Sequence, residues 1–260
     1  MSDLKKPIVI KIGGSFFNSI NDPNNPLLMA LSELYKAKQP VVLLHGGGEQ
    51  VLERLSALGF KSEKIHGLRV TPSEHMPIVT SVLAGELNKF LVAKAGQFGI
   101  NAVGISLADG NIASCVKHDA NIGMVGEPKA QSSQLLEVLL GANMQPFIAS
   151  IGKDNQGNLY NVNGDHAAIC IASLLNTGLY FLSDVQGVLD DNQQILTELD
   201  AEKITQLVQS GVISDGMAVK VVAANETAKS LNQTVSIASW QDAYKLLVDE
   251  LPCGTSILPH

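Results

Sequence analysis

The chain has 260 residues, 45% of them hydrophobic and 17% charged, which is enough for one large α/β domain or two small lobes around a substantial core. Its net charge of -7 argues against non-specific nucleic-acid binding, which needs a basic surface, and no apolar run in the sequence approaches the ~20 residues that span a membrane. Cys115, Cys170 and Cys253 are odd in number, far apart and without CxxC spacing, and the opening MSDLKKPIVIKIGG has no secretory pattern, so the expectation is a cytoplasmic protein with reduced thiols.

Strand-like and helix-like segments alternate along the chain. Ile8–Ile12 reads as a strand, Pro26 to Lys38 as a helix with Pro near its start, and Val41–Leu44 as a second buried strand. Glu49–Leu58 reads as a helix stopped at Gly59, and Pro72 and Ser73 open a long helical stretch to Phe98, with Pro77 in its early turns. A short strand at Ala102–Ile105 precedes a hairpin-like region at 110–128, a helix at Gln131–Leu140 and a strand at Pro146–Ile151. DNQGN (154–158) is a turn between two strands. Helices follow at Asp165–Leu175, Leu199–Gln209, Ala218–Leu231 and Gln241 to about Glu250, with strands at Leu179–Leu182 and Thr234–Ala238, and the final GTSIL can add an edge strand. Strands separated by helices imply a mainly parallel sheet covered on both faces, and such sheets bind ligands beyond the carboxyl ends of their strands.

Two glycine clusters sit at such ends. The first, in PIVIKIGGS, holds Lys11, Gly13, Gly14 and Ser15; the second, in PVVLLHGGG, holds His45, Gly46, Gly47 and Gly48. An apolar strand ending in a glycine loop with a helix after it is the usual layout of a phosphate cradle. Neither loop is a GxxxxGK[ST] or GxGxxG sequence, and HGGG without a GxSxG elbow does not make a serine hydrolase. Taken alone, each glycine pair could be only a turn, Lys11 a solvated strand-end lysine, and His45 or His66 a loop or structural histidine.

PIVIKIGGS, VVLLHGGG, HGLRVT (66–71), LYNVNGDHAA (159–168), LSDVQGVL (182–189) and SDGMAVKV (214–221), in that order along nearly the whole chain, resemble the amino acid kinase family. The GLRVT, NVNxDxAA and DGMxVK segments are most similar to the branch of the family that phosphorylates N-acetyl-L-glutamate. The resemblance implies a three-layer αβα sandwich with a mainly parallel central sheet. It divides the chain into an N-terminal lobe (1–175) for acetylglutamate binding and dimerisation and a C-terminal lobe (176–260) for ATP. It also implies an enzyme of arginine biosynthesis that transfers the γ-phosphoryl group of ATP to a side-chain carboxylate, giving an acyl phosphate. A carboxylate is already ionised at neutral pH, so no general base is needed; the difficulty is that an anion must approach a polyanion.

Residue by residue, the resemblance gives Lys11 the transferring phosphoryl group, Lys220 the leaving ADP side, and Asp165 the task of holding both lysines. Gly13 and Gly14 are expected to cradle phosphate. Gly47 and Gly48 are expected to face substrate and the phosphoryl group in flight. Arg69, one of two arginines in the chain, resembles the residue that pairs with a substrate carboxylate, a task that suits a bidentate guanidinium. Asn161 resembles a substrate contact, Asn163 is a weaker candidate, and His166 reads as structural. Asp184, Val185, Gln186, Gly187, Val188 and Leu189 resemble the nucleotide loop, and Val212, Ile213 and Ser214 a second nucleotide contact. Mg²⁺ is expected to arrive with ATP, held by phosphates and water, with no protein ligand named. About seven residues precede the first strand and KKP starts a helix poorly, so an arginine-insensitive homodimer is expected. Glutamate, carbamate or UMP remain alternative acceptors, and a catalytically idle nucleotide sensor the reading from a different class.

Overall fold

The computed structural model describes residues 5–65, 67–118 and 121–260, apart from the side chains at 215, 216 and 219. His66 therefore lies outside the described residues. The chain starts with β1 (Ile8–Ile12), a 3-10 turn over Gly14–Ser19, α1 (Pro26–Lys36), β2 (Val41–His45) and α2 (Gly48–Ala57). A small ribbon of β3 (Lys64–Ile65) and β4 (Leu68–Arg69) leads into the long helix. That helix is one continuous rod from Ser73 to Gln97, made of a 3-10 turn, α3 (Met76–Thr80), a π segment over Ser81–Leu87 and α4 (Asn88–Gln97). Then come β5 (Ala102–Ser106), β6 (Ala113–Lys117), β7 (Val125–Ala130), α5 (Gln134–Gly141), β8 (Gln145–Ala149), β9 (Ile151–Lys153), β10 (Leu159–Val162) and α6 (Gly164–Leu175). The last part contains β11 (Leu179–Ser183), β12 (Glu198–Leu199), α7 (Ala201–Gln209), α8 (Asp215–Leu231), β13 (Val235–Ser239), α9 (Ala243–Leu247) and β14 (Thr255–Ile257).

Eight strands form the central sheet in the order β12-β14-β13-β11-β1-β2-β8-β5, and every pairing is parallel except β13 with β14. Strand β1 lies in the middle, hydrogen-bonded to β11 on one side and β2 on the other. Its side chains alternate between two cores. Val9 faces α6 and α8, packed with Ala168, Ile171, Val221 and Ala224, while Ile10 and Ile12 face α1, the long helix and α9. The result is the expected three-layer αβα sandwich. A second sheet, β6-β7-β10-β9, stands beside it, and Ser150 is the single residue between β8 in one sheet and β9 in the other.

Most sequence-read elements are present, and their shifts have local causes. The strand read as Pro146–Ile151 is split because the chain changes sheets at Ser150. The helix read from Gln131 starts at Gln134, since Gln131 and Ser132 donate their N–H groups to Ile112 and Asn111. The helix read from Leu199 starts at Ala201, because Asp200 caps it and Leu199 belongs to β12. The last helix ends at Leu247 and not near Glu250. The terminal GTSIL does enter the sheet but is not its edge: β12 pairs outside it. The rod Ser73–Gln97 is, by length and composition, long and apolar enough to cross a bilayer, although Glu86, Lys89 and Lys94 interrupt it and it is no continuous apolar run. Its Met76, Val79, Val82, Leu83, Leu87 and Leu91 are instead buried in the core beside α1 and the sheet.

Helix α1 shows how closely local chemistry is matched to packing. Asn25 is completely buried, its Oδ1 accepts from the N–H groups of Leu27 and Leu28 (3.1 Å each), and its Nδ2 donates to the Ser19 carbonyl (3.2 Å). Pro26 at the first helical position needs no N–H partner. Asn25→Ala removes the cap and strands buried backbone donors, so its unfolding midpoint in urea is expected to fall by the equivalent of about 2–3 kcal/mol at unchanged m-value.

Candidate functional site

The alternation along β1 puts Lys11 on the α6 face, at the carboxyl end of the strand. Lys11 Nζ lies 2.7 Å from Asp165 Oδ1, and the Lys11 side chain is only 16% exposed. Asp165 is in the first turn of α6, where Asn163 caps the helix by accepting from the N–H groups of Asp165 and His166. Asn163 thus has a capping job that its neighbours define. Gly164, between them, leaves room that a side chain would fill: a Cβ there would sit 3.3 Å from Lys11 Cε and 3.8 Å from Gly46. The helix end therefore rests directly on the first strand and the second glycine loop.

Lys220 reaches the same group from α8. Burial pushes its pKa down, the neighbouring Lys11 charge pushes it further, and Asp165 and Asp184 partly hold it up. For Asp165 burial works upward, but the Lys11 charge and contact, then Lys220 and His166, outweigh it and keep the carboxyl below its ordinary value. Lys11 contacts the carboxylate, while Lys220 feels it, and Asp184, through charge alone. His166 is held by Glu127, its Nδ1 3.0 Å from Oε2, which suits the structural role read for it.

Two clefts have lining residues close in sequence to this charge group, although Lys11, Asp165 and Lys220 themselves line neither. The first is lined by Gly46, Gly47 and Gly48, by Leu68 and Arg69, and by Asn161 to Gly164. Arg69 is 8% exposed and donates to Ser62 Oγ and to the Gly48 carbonyl, both neutral. Among the described residues no carboxylate lies within ion-pair distance of it. Asn161 Nδ2 donates to Thr71 Oγ1 (3.1 Å), which donates to the Arg69 carbonyl (2.9 Å), so GLRVT and NVN form one wall. The second cleft is lined by Val185 to Leu189, by Val212, Ile213 and Ser214, and by Met217.

The two sequence-read nucleotide segments therefore meet around one cleft. Asp184 does not line it, and its charge acts on Lys220. Gly13 and Gly14 line neither cleft. The Gly13 N–H donates to the Leu182 carbonyl (3.3 Å), and Gly14 opens the 3-10 turn whose first N–H groups have no partner within the turn.

Sequence reasoning passed over several participants. Gln50 Nε2 donates to the Gly14 carbonyl (3.1 Å) and so ties the two glycine loops together. Its place on the first turn of the helix after HGGG was the available signal. Lys64 and Ser150 line the first cleft with no motif to mark them, whereas Met217 stands inside the SDGM run.

Residues 6–239 match the Amino acid kinase family. The chain is 44% identical over 257 residues to an acetylglutamate kinase of Colwellia psychrerythraea (strain 34H / ATCC BAA-681), covering 98% of each protein. It is 45% identical over 241 residues to that of Pasteurella multocida (strain Pm70), covering 93% of this chain and 94% of the relative. Among solved structures, a Streptococcus mutans UA159 protein, smu.665, superposes with a TM-score of 0.82 at 25% identity, over 98% of this chain and 99% of the other. An N-acetylglutamate synthase from Neisseria gonorrhoeae shares the fold, with a TM-score of 0.84 at 19% identity over 98% of this chain and 60% of that one. With a family match across most of its length and relatives above 40% identity from end to end, this chain belongs to the amino acid kinase family.

Proposed function

We propose that this protein transfers the γ-phosphoryl group of ATP to the side-chain carboxylate of N-acetyl-L-glutamate, releasing N-acetyl-L-glutamyl 5-phosphate and ADP. The observation that carries the reading is the Lys11–Asp165 ion pair, with the Lys220 charge acting on it, Asp165 being next in sequence to Gly164 of the first cleft and Lys220 three residues from Met217 of the second. The first cleft suits an amino acid derivative. Arg69 is a buried cation with neutral partners, so a carboxylate arriving there gains a charge-assisted contact that the protein itself does not supply. The second cleft, lined by Val185, Val188, Ile213 and Met217, suits the flat apolar base of a nucleotide.

In this reading Gly47 and Gly48 offer backbone N–H groups to the acceptor carboxylate and Asn161 contacts the substrate. Lys11 neutralises the transferring group, with Gly13 and Gly14 beside it. Lys220 neutralises the charge that builds on the leaving ADP. Asp165 keeps the two lysines together despite their mutual repulsion. Catalysis rests on positioning and electrostatics, since the attacking oxygen carries no proton to remove. Magnesium bound to the nucleotide phosphates supplies further charge neutralisation. Asp165 and Asp184 are the acidic groups whose charges act on Lys220, and among the described residues no cluster of three metal-ligating side chains stands ready to hold the ion alone.

Residues 1–175 form, in this proposal, the acetylglutamate and dimerisation lobe, and 176–260 the ATP lobe, joined through the β1–β11 pairing. A homodimer is supported by exposed Leu52 and Leu58 on and after α2, together with Phe60, whose ring packs at 4.8 Å on His75 at the start of the long helix, and by Phe90 further along that rod. The free thiols of Cys115, Cys170 and Cys253 suit the reducing cytoplasm.

Hydroxylamine trapping tests the reaction: with ATP and Mg²⁺, hydroxamate is expected with N-acetylglutamate and not with glutamate or carbamate, and phosphorylation of UMP in its place would overturn the reading. Lys220→Ala is expected to lower kcat by roughly 10²–10³-fold while KM for acetylglutamate stays within about 3-fold. The pH profile supplies a separate check. Lys220 must be protonated to act, so turnover falls as pH rises through its depressed pKa. Asp165→Asn removes one of the charges that holds that pKa up, so the alkaline limb of kcat is expected to move to lower pH.

A further inference from the structure

Behind the second glycine loop lies a fully buried polar network that the proposed reaction leaves without a task. His45, the last residue of β2, and Asn88, the first residue of α4, are both completely inaccessible to solvent. His45 Nδ1 is 2.9 Å from the Gly46 carbonyl oxygen, and His45 Nε2 is 3.1 Å from Asn88 Nδ2. The same Asn88 Nδ2 donates to the Phe147 carbonyl (2.9 Å), while Asn88 Oδ1 accepts from Lys89 Nζ (3.1 Å). These partners fix the protons. A carbonyl only accepts, so Nδ1 carries hydrogen. An amide nitrogen only donates, so Nε2 carries none. The ring is therefore a neutral imidazole in a single tautomer. Burial, the largest influence, agrees by pulling its pKa down to about 4, the Gly46 carbonyl opposing and the Lys89 charge assisting.

The backbone is shaped for this contact. The long helix changes to π geometry over Ser81–Leu87, immediately before Asn88. A Cβ on Gly104 would collide with Asn88 Oδ1, and one on Gly47 would collide with Leu87 Cδ1 and lie 2.9 Å from Leu83 Cδ2. Glycine at 104 admits the Asn88 amide, and glycine at 47 lets the loop settle on the π segment. Gly46 is held from both ends, with its N–H donating to the Ile12 carbonyl (3.3 Å) and its C=O accepting from His45.

We propose that His45 and Asn88 are positioning residues that aim the Gly46–Gly48 loop at the reacting carboxylate and phosphoryl group. The inference rests on the phosphoryl-transfer reading above. In a trans peptide the C=O and the following N–H point in opposite directions. Holding the Gly46 carbonyl toward the His45 ring in the core therefore turns the Gly47 N–H toward the cleft that Gly46–Gly48 line. A donor aimed in advance at the place where charge moves costs no reorganisation during reaction.

The test compares His45→Leu, which keeps bulk and loses the donor, with His45→Asn, whose amide nitrogen can take the place of Nδ1. Leucine is expected to lower kcat by about 30-fold or more with KM for ATP within about 3-fold, and asparagine to restore kcat to within about 5-fold of wild type. Equal losses in both variants, or a kcat within about 3-fold for His45→Leu, would overturn the proposal. Nitrogen-15 NMR of histidine-labelled wild-type protein makes the test independent of how the variants fold: a neutral Nδ1–H ring at pH 7 is expected, and an Nε2–H or doubly protonated ring would overturn it. Wild-type hydroxamate formation is measured alongside, so that loss of the reaction reading is distinguished from loss of this one.

Discussion

The contact on which the arrangement turns is the ion pair between Lys11 and Asp165. A lysine in the middle of a parallel sheet, 16% exposed, has lost much of its hydration, and the sheet's own peptide groups are committed to neighbouring strands. Such a pair does little for stability on its own, because desolvating both ions offsets most of their attraction. An apolar residue like Val9, two positions earlier on the same face, would pack there with less difficulty. What the pair provides is a positive group held at the carboxyl end of the central strand, with its direction set by α6. The sheet order that flanks β1 with β11 and β2, and the glycine that lets α6 touch Lys11 and Gly46, both serve that placement.

A chain with a net charge of -7 has to concentrate positive potential to hold a polyanion. Here the concentration is local and has structure within it. Lys11 comes from β1, Lys220 from α8 across the group, and Arg69 from the small ribbon at the far wall of the first cleft. Asp165 lowers the cost of keeping two of these cations adjacent, and is itself kept ionised by them. In the proposed reaction the incoming γ-phosphoryl group takes over part of that work, so the lysines exchange one anion for another and do not meet a site built from scratch.

How much of this was legible in the sequence follows from which interactions are local. The strands before the glycine loops, the helix start at Pro26 and the DNQGN turn depend on neighbours in sequence and are present as read, whereas the Asn25 cap was not singled out. Leu199 read as helical because nothing nearby reveals that it pairs with Ile257, and Ser150 read as mid-strand because a change of sheet has no local signal. At the site, Val185–Leu189 and Val212–Ser214 could be matched to motifs, and they line one cleft although more than twenty residues separate them. Gly13 was read as part of a phosphate cradle, and no local pattern announces that its N–H is bonded to Leu182, a partner 169 positions away. Gln50 and Asn88 were missed for the same reason: what each touches lies on another element, the Gly14 carbonyl for one and His45 and Phe147 for the other.

His45 shows how a structural and a functional reading of one residue can coincide. A histidine facing a carbonyl with one nitrogen and an amide donor with the other cannot take a second proton without setting N–H against N–H. Its neutrality is thus imposed by partners as well as by burial, and the direction of the Gly46 peptide does not change across the pH range in which a free imidazole titrates. A lysine or arginine in that place would add positive charge near the phosphoryl group, but it would need an anion in the core to be tolerated. The neutral ring adds no charge directly behind the loop, where His45 and Asn88 present dipoles whose hydrogen bonds are already made and the Lys89 ammonium sits one step further back on Asn88 Oδ1. That arrangement fixes the direction of the glycine loop without placing an ionised group against its backbone.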